Sequence, residues 1–566
     1  MHTTDSPSAD RRRFLACCST LGLSATLFPG ALWARLQDGG PITSAMARGA
    51  AAVAGLTMSD EELETIVGPL NRVLTTAGEL HASPPPNEAP SPLLFSPRVP
   101  GFDAAPPVRP FRPAAPPPVR RPAALEEAAF WPVTHLAELV RRREVTALEL
   151  TDMYLARLER HNARLNCVVT VTPERARAQA RTLDRELVAG RPRGPLHGVP
   201  WGVKDIVAVR GYRTTWGAAP FEQRTIDEDA TVVQRLDAAG AVLVAKLTTG
   251  ELAFGDQWFG GRTNNPWNPE QGSSGSSAGS GAATAAGLVG FAIGSDTGGS
   301  ILSPSVRCGV AGLRPTFGRV SRHGVMAAGW TLDKIGPMCR FVEDCAVVLQ
   351  AIAGPDGRDL AVPDLPPPGW DAAEPVRGRR VGVVPALLEA ESDAASRANT
   401  DRALDALRDA GLELVTIDVP ESNLTYFIEY TERAAGFEQL VQRGGVNALR
   451  LRGVAANLRA YHLVTAVDYL QANRERLRLM AEYARATAEV DVVIAGRVTL
   501  NAATSLNPLT SMTGHPTIAV PTGFRENGTP TGITIAGRLY DEAGLLAVAR
   551  VVEAATGLGG RRPPLG

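Results

Sequence analysis

From Thr43 to Leu80 apolar residues recur at helical spacing, and Ser59 followed three positions on by Glu62 supplies a capping box, so this segment reads as a helical pair. The same logic predicts an amphipathic helix over Thr146 to Arg160, opened by Thr146 and Glu149. A second runs over Pro173 to Ala189, capped by Thr172 and stopped by Gly190. Short apolar runs then alternate with helical ones. Val199 to Val209 and Ala241 to Leu247 read as strands around a helix at Ala230 to Ala239, and Arg380 to Val384 and Leu412 to Ile417 repeat the arrangement. Tyr426 to Thr487 reads as a mostly helical insertion, after which Val490 to Ile494 returns to strand. This alternation predicts an α/β domain with a mixed sheet.

Two stretches break the pattern. Arg11-Arg12-Arg13-Phe14-Leu15 matches the twin-arginine pattern, and Ala16 to Leu32 is apolar, rich in small residues and short for a bilayer span. Residues 1–34 therefore read as a signal for the twin-arginine export machinery, with a periplasmic or secreted product. Cleavage after Ala34 or after Ala47 fits, and a buried or membrane-anchoring helix is the competing reading. Cys17 lies at the very start of the apolar region instead of after it, which argues against lipidation. After the helical segment 35–82, prolines recur through residues 83–124, with Pro84-Pro85-Pro86 and Pro116-Pro117-Pro118 favouring extended chain. This is a linker, or a belt lying on a catalytic domain that spans 125–560.

Charge narrows the function. Over 566 residues, 58 basic side chains face 59 acidic ones for a net charge of -1, with no long single-sign run. There is thus no footprint for nucleic acid or an anionic membrane, and a small or neutral substrate fits better. Beyond the signal, Cys167, Cys308, Cys339 and Cys345 lack CxxC spacing or a histidine cluster, so neither metal nor cofactor is expected. They read as buried thiols, although an oxidising compartment would permit a Cys339 to Cys345 bridge.

The chemistry is sought from Gly272 to Ser305, where two Gly/Ser clusters enclose the apolar segment Ala282 to Phe291. A flexible linker would not interrupt itself with a packed helix and strand. A phosphate-cradling nest would carry GxxxxGK[ST] or GxGxxG, and neither occurs. Gly275-Ser276-Ser277-Ala278-Gly279 matches GxSxG, the nucleophile elbow, with His462 or His515 available as a downstream base; the turn-rich Asn265 to Gln271 supplies no preceding strand.

GSSAGS at Gly275 to Ser280, IGSDTGGSI at Ile293 to Ile301 and CGVAGLRPTFGRVS at Cys308 to Ser321 follow in the order and spacing of the amidase-signature family, which the chain resembles. GVPWGVKD at Gly198 to Asp205, NNPWNPE before the serines and TGHPTIAVPTGF at Thr513 to Phe524 extend the resemblance over about Glu126 to Gly557. It implies a mixed central sheet with helices on both faces, and hydrolysis of a small-molecule amide without cofactor. Ser300 is then the nucleophile, Ser276 a relay serine on an unusual cis peptide, and Lys204 the base. A serine hydroxyl is nearly inert at neutral pH, and a lysine activates it if burial makes the amine neutral. Thr297, Gly298 and Gly299, with Ser277, are expected around the oxyanion and substrate, where losing one donor typically costs about 100- to 1000-fold in rate. On its own, Lys204 would read as an exposed lysine paired with Asp205.

Two departures bear on substrate. Leu302 stands where the family commonly has arginine, and Arg307 is a candidate to supply that charge. The glutamine-using branch, found in the transamidosome, holds the substrate amine with an acidic residue absent between Arg497 and Arg525 here. With the export signal, this favours a hydrolase outside that branch. Trp258, Phe259, Trp267 and Trp330 suggest an apolar or aromatic amide, or ordinary core. The remaining alternative is a catalytically silent binding or scaffold protein that kept the fold. A homodimer is compatible with the sequence.

Overall fold

The strands at the centre of this protein are apolar at nearly every position instead of alternating, as strands covered on both faces must be. The computed structural model describes residues 42–89, 91, 93–102, 108–391, 393–496, 498–499 and 501–565. The twin-arginine segment, Cys17 and Cys18 lie outside the described residues. In chain order the main sheet comprises β1 (Val168–Val171), β2 (Pro200–Lys204), β3 (Val242–Leu247), β4 (Phe291–Asp296), β5 (Ala311–Arg314) and β6 (Lys334–Cys339). It continues with β7 (Arg380–Val383), β8 (Glu413–Thr416), β9 (Val492–Ala495), β10 (Thr517–Phe524) and β11 (Pro530–Gly537).

These form an 11-stranded mixed sheet in the order β8-β7-β9-β11-β10-β5-β6-β4-β2-β3-β1. The runs β8-β7-β9 and β4-β2-β3 are parallel, and the other neighbours are antiparallel. Every residue of β2, β3, β4 and β6 is buried. The expected mixed sheet flanked by helices is therefore the observed architecture.

The helices α1 (Ser44–Val53), α2 (Asp60–Ala82), α3 (Ala147–Leu165) and α4 (Pro173–Val188) fall where periodicity placed them. Both capping boxes form, Ser59 with Glu62 and Thr146 with Glu149. Thr172 does not cap α4 through its side chain; its hydroxyl donates instead to Leu243 O on β3 at 2.7 Å. Ala47 is buried within α1. The run from Val199 to Val209 is strand only as far as Lys204, because the chain turns there, with Val207 N–H donating to Lys204 O.

The apolar segment between the serine clusters is a short helix, α5 (Ala278–Ala285), followed by the turn at Gly287 and β4. All eight residues of α5 are buried, which excludes a flexible linker. The strand leads into α6 (Leu302–Cys308). The insertion holds α7 (Leu424–Gly436) and α8 (Ala466–Ala486) with two shorter helices between, and α9 (Asn507–Thr513) precedes β10. Where described, the proline-rich segment lies on the body of the molecule. Phe111 and Arg112 pair in parallel with Trp370 and Asp371, Glu88 forms an ion pair with Arg224, and buried Asn87 bonds to Ala327 and Gly436. Cys167, Cys308, Cys339 and Cys345 are free, buried thiols.

Candidate active site

Parallel neighbours β2 and β4 end side by side, which brings Lys204 next to Ser295 and Asp296 at their carboxyl ends, where open α/β sheets place their sites. Lys204 has no exposed surface. Its ammonium nitrogen donates to Ser276 Oγ at 2.7 Å and to Ser295 Oγ at 2.8 Å. Burial pulls the Lys204 pKa down to about 7, against the opposing pull of Asp296 and Asp333. Asp205 is not its partner. That carboxylate turns to Lys246 at 2.8 Å and to the hydroxyl of Thr215. Sequence position alone missed Ser295, although it sits inside the GSDTGGS motif.

Ser276 follows a cis peptide bond from Gly275. A Cβ on Gly275 would lie 1.8 Å from Gly255 O, so only glycine fits there. Ser277 N–H donates to Ser300 O at 3.1 Å, fastening the two serine loops together. Among the described residues no direct hydrogen bond joins the Ser276 and Ser300 hydroxyls. Ser277 faces away from the reactive side: its hydroxyl donates to Ser295 O at 3.0 Å and accepts from Ser295 N–H at 3.2 Å.

Asp296 organises the turn that presents Ser300. Its carboxylate accepts from Gly299 N–H at 2.8 Å, Ile301 N–H at 2.7 Å and Arg314 at 3.1 Å. Burial alone would raise this carboxyl, but Arg314, Lys334 and those N–H groups outweigh it and hold it below its ordinary value. Carbonyls are tied back as well. Thr297 O accepts from Ser511, Gly298 O accepts from Asn507 Nδ2 at 2.7 Å, and the Thr297 hydroxyl donates to Asp333 at 2.5 Å. Of the residues expected around the oxyanion, Gly299 spends its N–H on Asp296, while the N–H groups of Gly298 and Ser300 take no partner among the described residues. Gly299 sits at φ 120°, and a Cβ there would meet Asn507 Nδ2 at 2.7 Å.

Ser300 lines a cleft of about 610 Å³, together with Gly298 and Gly299. Its aromatic walls are Phe254, Tyr426 and Tyr430, the last two on α7. Trp258, Phe259, Trp267 and Trp330 do not line it. Trp258 packs on Phe259, Trp267 packs on Phe524 and donates to Cys308 O, and Trp330 belongs to a separate cavity. Loop tryptophans carry no periodicity that would tell a reader which wall they join. Leu302 is buried at the start of α6, whereas exposed Arg307 does reach the cleft, held by Gln271 at 2.9 Å.

The elbow alternative fails on geometry. His515 packs edge-on against Tyr483, and burial with Arg314 nearby drives its pKa down to about 3. His462 faces Glu438 at 3.2 Å. Neither histidine lines the cleft.

Residues 149–546 match the Amidase family, and the chain belongs to it, with the amidase-signature fold. It is 36% identical over 479 residues to the A component of the glutamyl-tRNA(Gln) amidotransferase of Roseiflexus castenholzii, covering 76% of this chain and 97% of that protein. It also superimposes on the native peptide amidase of Stenotrophomonas maltophilia with a TM-score of 0.67 and 28% identity, over 78% of this chain and 99% of that one. A 6-aminohexanoate cyclic dimer hydrolase with bound substrate gives a TM-score of 0.67 and 26% identity, over 77% of this chain and 99% of its own.

Proposed function

We propose that this protein hydrolyses C–N bonds of small carboxylic amides through an acyl-enzyme on Ser300. The observation that carries the reading is Lys204, wholly buried, with its nitrogen 2.7 Å from Ser276 Oγ. As neutral amine, Lys204 takes the Ser276 proton while Ser276 takes that of Ser300, whose oxygen attacks the carbonyl carbon. The free N–H groups of Gly298 and Ser300 stabilise the oxyanion. Collapse breaks the C–N bond, and the proton returns along the same chain to the departing nitrogen. Water then attacks the acyl-enzyme with the proton path repeated, releasing the acid. Ser276 and Ser300 must close up when substrate binds, as catalytic hydrogen bonds often do.

The stretch from Arg497 to Arg525 has no acidic residue, which supports release of amine to water over tRNA-linked transfer. Export rests on the twin-arginine pattern of Arg11 to Leu15. The test is a panel of aryl and acyl amides offered to the mature protein, Ser300→Ala and Lys204→Ala. Wild type is expected to release ammonia or amine, with each variant down by at least about 1000-fold, consistent with the loss of a nucleophile or its base. The wild-type rate should climb as pH rises through about 7, the point at which Lys204 loses its proton. No turnover, with no fluorophosphonate labelling of Ser300, would establish the silent scaffold instead.

A further inference from the structure

Helix α7 aims a second chemical group at the cleft. Tyr426, Glu429 and Tyr430 line it, and Arg433 continues the same helical face one turn on. Glu429 is buried to 5% exposure, yet its carboxylate borders the cleft directly over the nucleophile loop. A Cβ placed on Gly298 would come 3.0 Å from Glu429 Oε2 and 3.4 Å from the Tyr426 ring. Oε1 is occupied, accepting from Arg433 at 2.6 Å, and Arg433 is anchored in turn on Leu252 O. Oε2 takes no hydrogen bond from the described residues. The Tyr426 hydroxyl, one turn earlier on the same helix, is buried and likewise lacks a partner among them.

Glu429 Oε2 therefore opens on the cleft without a donor from the described residues, and a ligand that supplies one gains most there. Charge indicates the kind of donor. Asp256 also lines the cleft, while Asp296 and Asp333 lie near enough to Glu429 to push its carboxyl upward after burial has done so. Against these stand Arg314, spent on Asp296, Arg433, already engaged, and Arg307 at the exposed rim.

We infer that Glu429 Oε2, with the Tyr426 hydroxyl, binds an ammonium group that the substrate carries in addition to its scissile amide. Glu429 acts on recognition and makes no covalent step. This rests on the amide-hydrolase reading and narrows it to amine-bearing amides. The acid comes from the insertion helix and lies well before the stretch between Arg497 and Arg525.

The experiment uses two matched pairs of amides. Phenylalaninamide against 3-phenylpropanamide places the amine on the acyl side, and N-(2-aminoethyl)phenylacetamide against N-propylphenylacetamide places it on the leaving side. Wild type should favour the ammonium member of at least one pair by tenfold or more in kcat/KM. Glu429→Gln should shrink that preference to about threefold or less, mainly by raising KM for the ammonium member. A purely structural residue would lower both members in parallel and leave the ratio standing, which would overturn the proposal, as would a wild type without preference in either pair. Should nothing turn over, calorimetric binding of the same pairs to Ser300→Ala gives the ratio. Labelling of Ser300 by a fluorophosphonate reports separately on the nucleophile, so failure of the hydrolase reading is distinguishable from failure of Glu429.

Discussion

Lys204 is a lysine held in a place where its charge is unwelcome. Its pKa falls from 10.5 to about 7, a penalty on the order of 5 kcal/mol for the protonated form. The sign follows from linkage: between those two values the unfolded chain binds the proton and the native one does not, so stability rises with pH there. Below about 7 the penalty is complete, and it fades toward the unfolded value. Lys204→Met should therefore lose turnover yet gain Tm relative to wild type, with the gain larger at pH 6 than at pH 9.5. Calorimetric scans at the two pH values check this, and an equal gain at both would show that Lys204 is not titrating as described. The identity of Lys204 was legible from its motif, but its surroundings were not. Its freedom from Asp205 depends on Lys246, which lies on the neighbouring strand and 41 positions along the chain. Asp333 and Glu429 escaped notice for the same reason: each reaches the Ser300 loop from a distant segment, and neither belongs to a local pattern.

Elements declared themselves where a local rule was sufficient. The Thr146 and Glu149 pair opened α3 as read, since a capping box is a contact between residues three apart. The end of β2 was overrun because the apolar run continues past Lys204 while the hydrogen-bonded ladder does not. The proline-rich segment was legible as extended chain, and what holds it was not. Asn87 is the pin: its amide donates to Ala327 O at 2.9 Å and Gly436 O at 3.1 Å, and its oxygen accepts from Ala327 N–H at 2.9 Å. Asn87→Ala strands those three groups, at a cost of roughly 1–3 kcal/mol for a buried polar group left unpaired. Limited proteolysis should then cut between residues 88 and 102 several-fold faster than in wild type, while the catalytic body stays resistant. Unchanged cleavage would mean that the belt is fastened elsewhere.

At the scale of the molecule, one mixed sheet carries the serine loops, with antiparallel neighbours from β4 across to β9 and a parallel run at either side, β4-β2-β3 and β9-β7-β8. The alternation of apolar runs made such a sheet readable, and the motif order made the family readable. Among its 58 basic side chains the chain has only three lysines, Lys204, Lys246 and Lys334, and all three are buried in this sheet. Every lysine-or-arginine charge at its surface is therefore arginine. The folded protein is almost blank to amine-reactive chemistry, because an acylating reagent meets no exposed lysine. Mass spectrometry after brief treatment with a bulky acylating ester should show at most one adduct on the native protein and three more once it is denatured. Each set of three added groups then counts a molecule whose core has opened, so unfolding can be tallied covalently without a dye, a tag or an engineered residue.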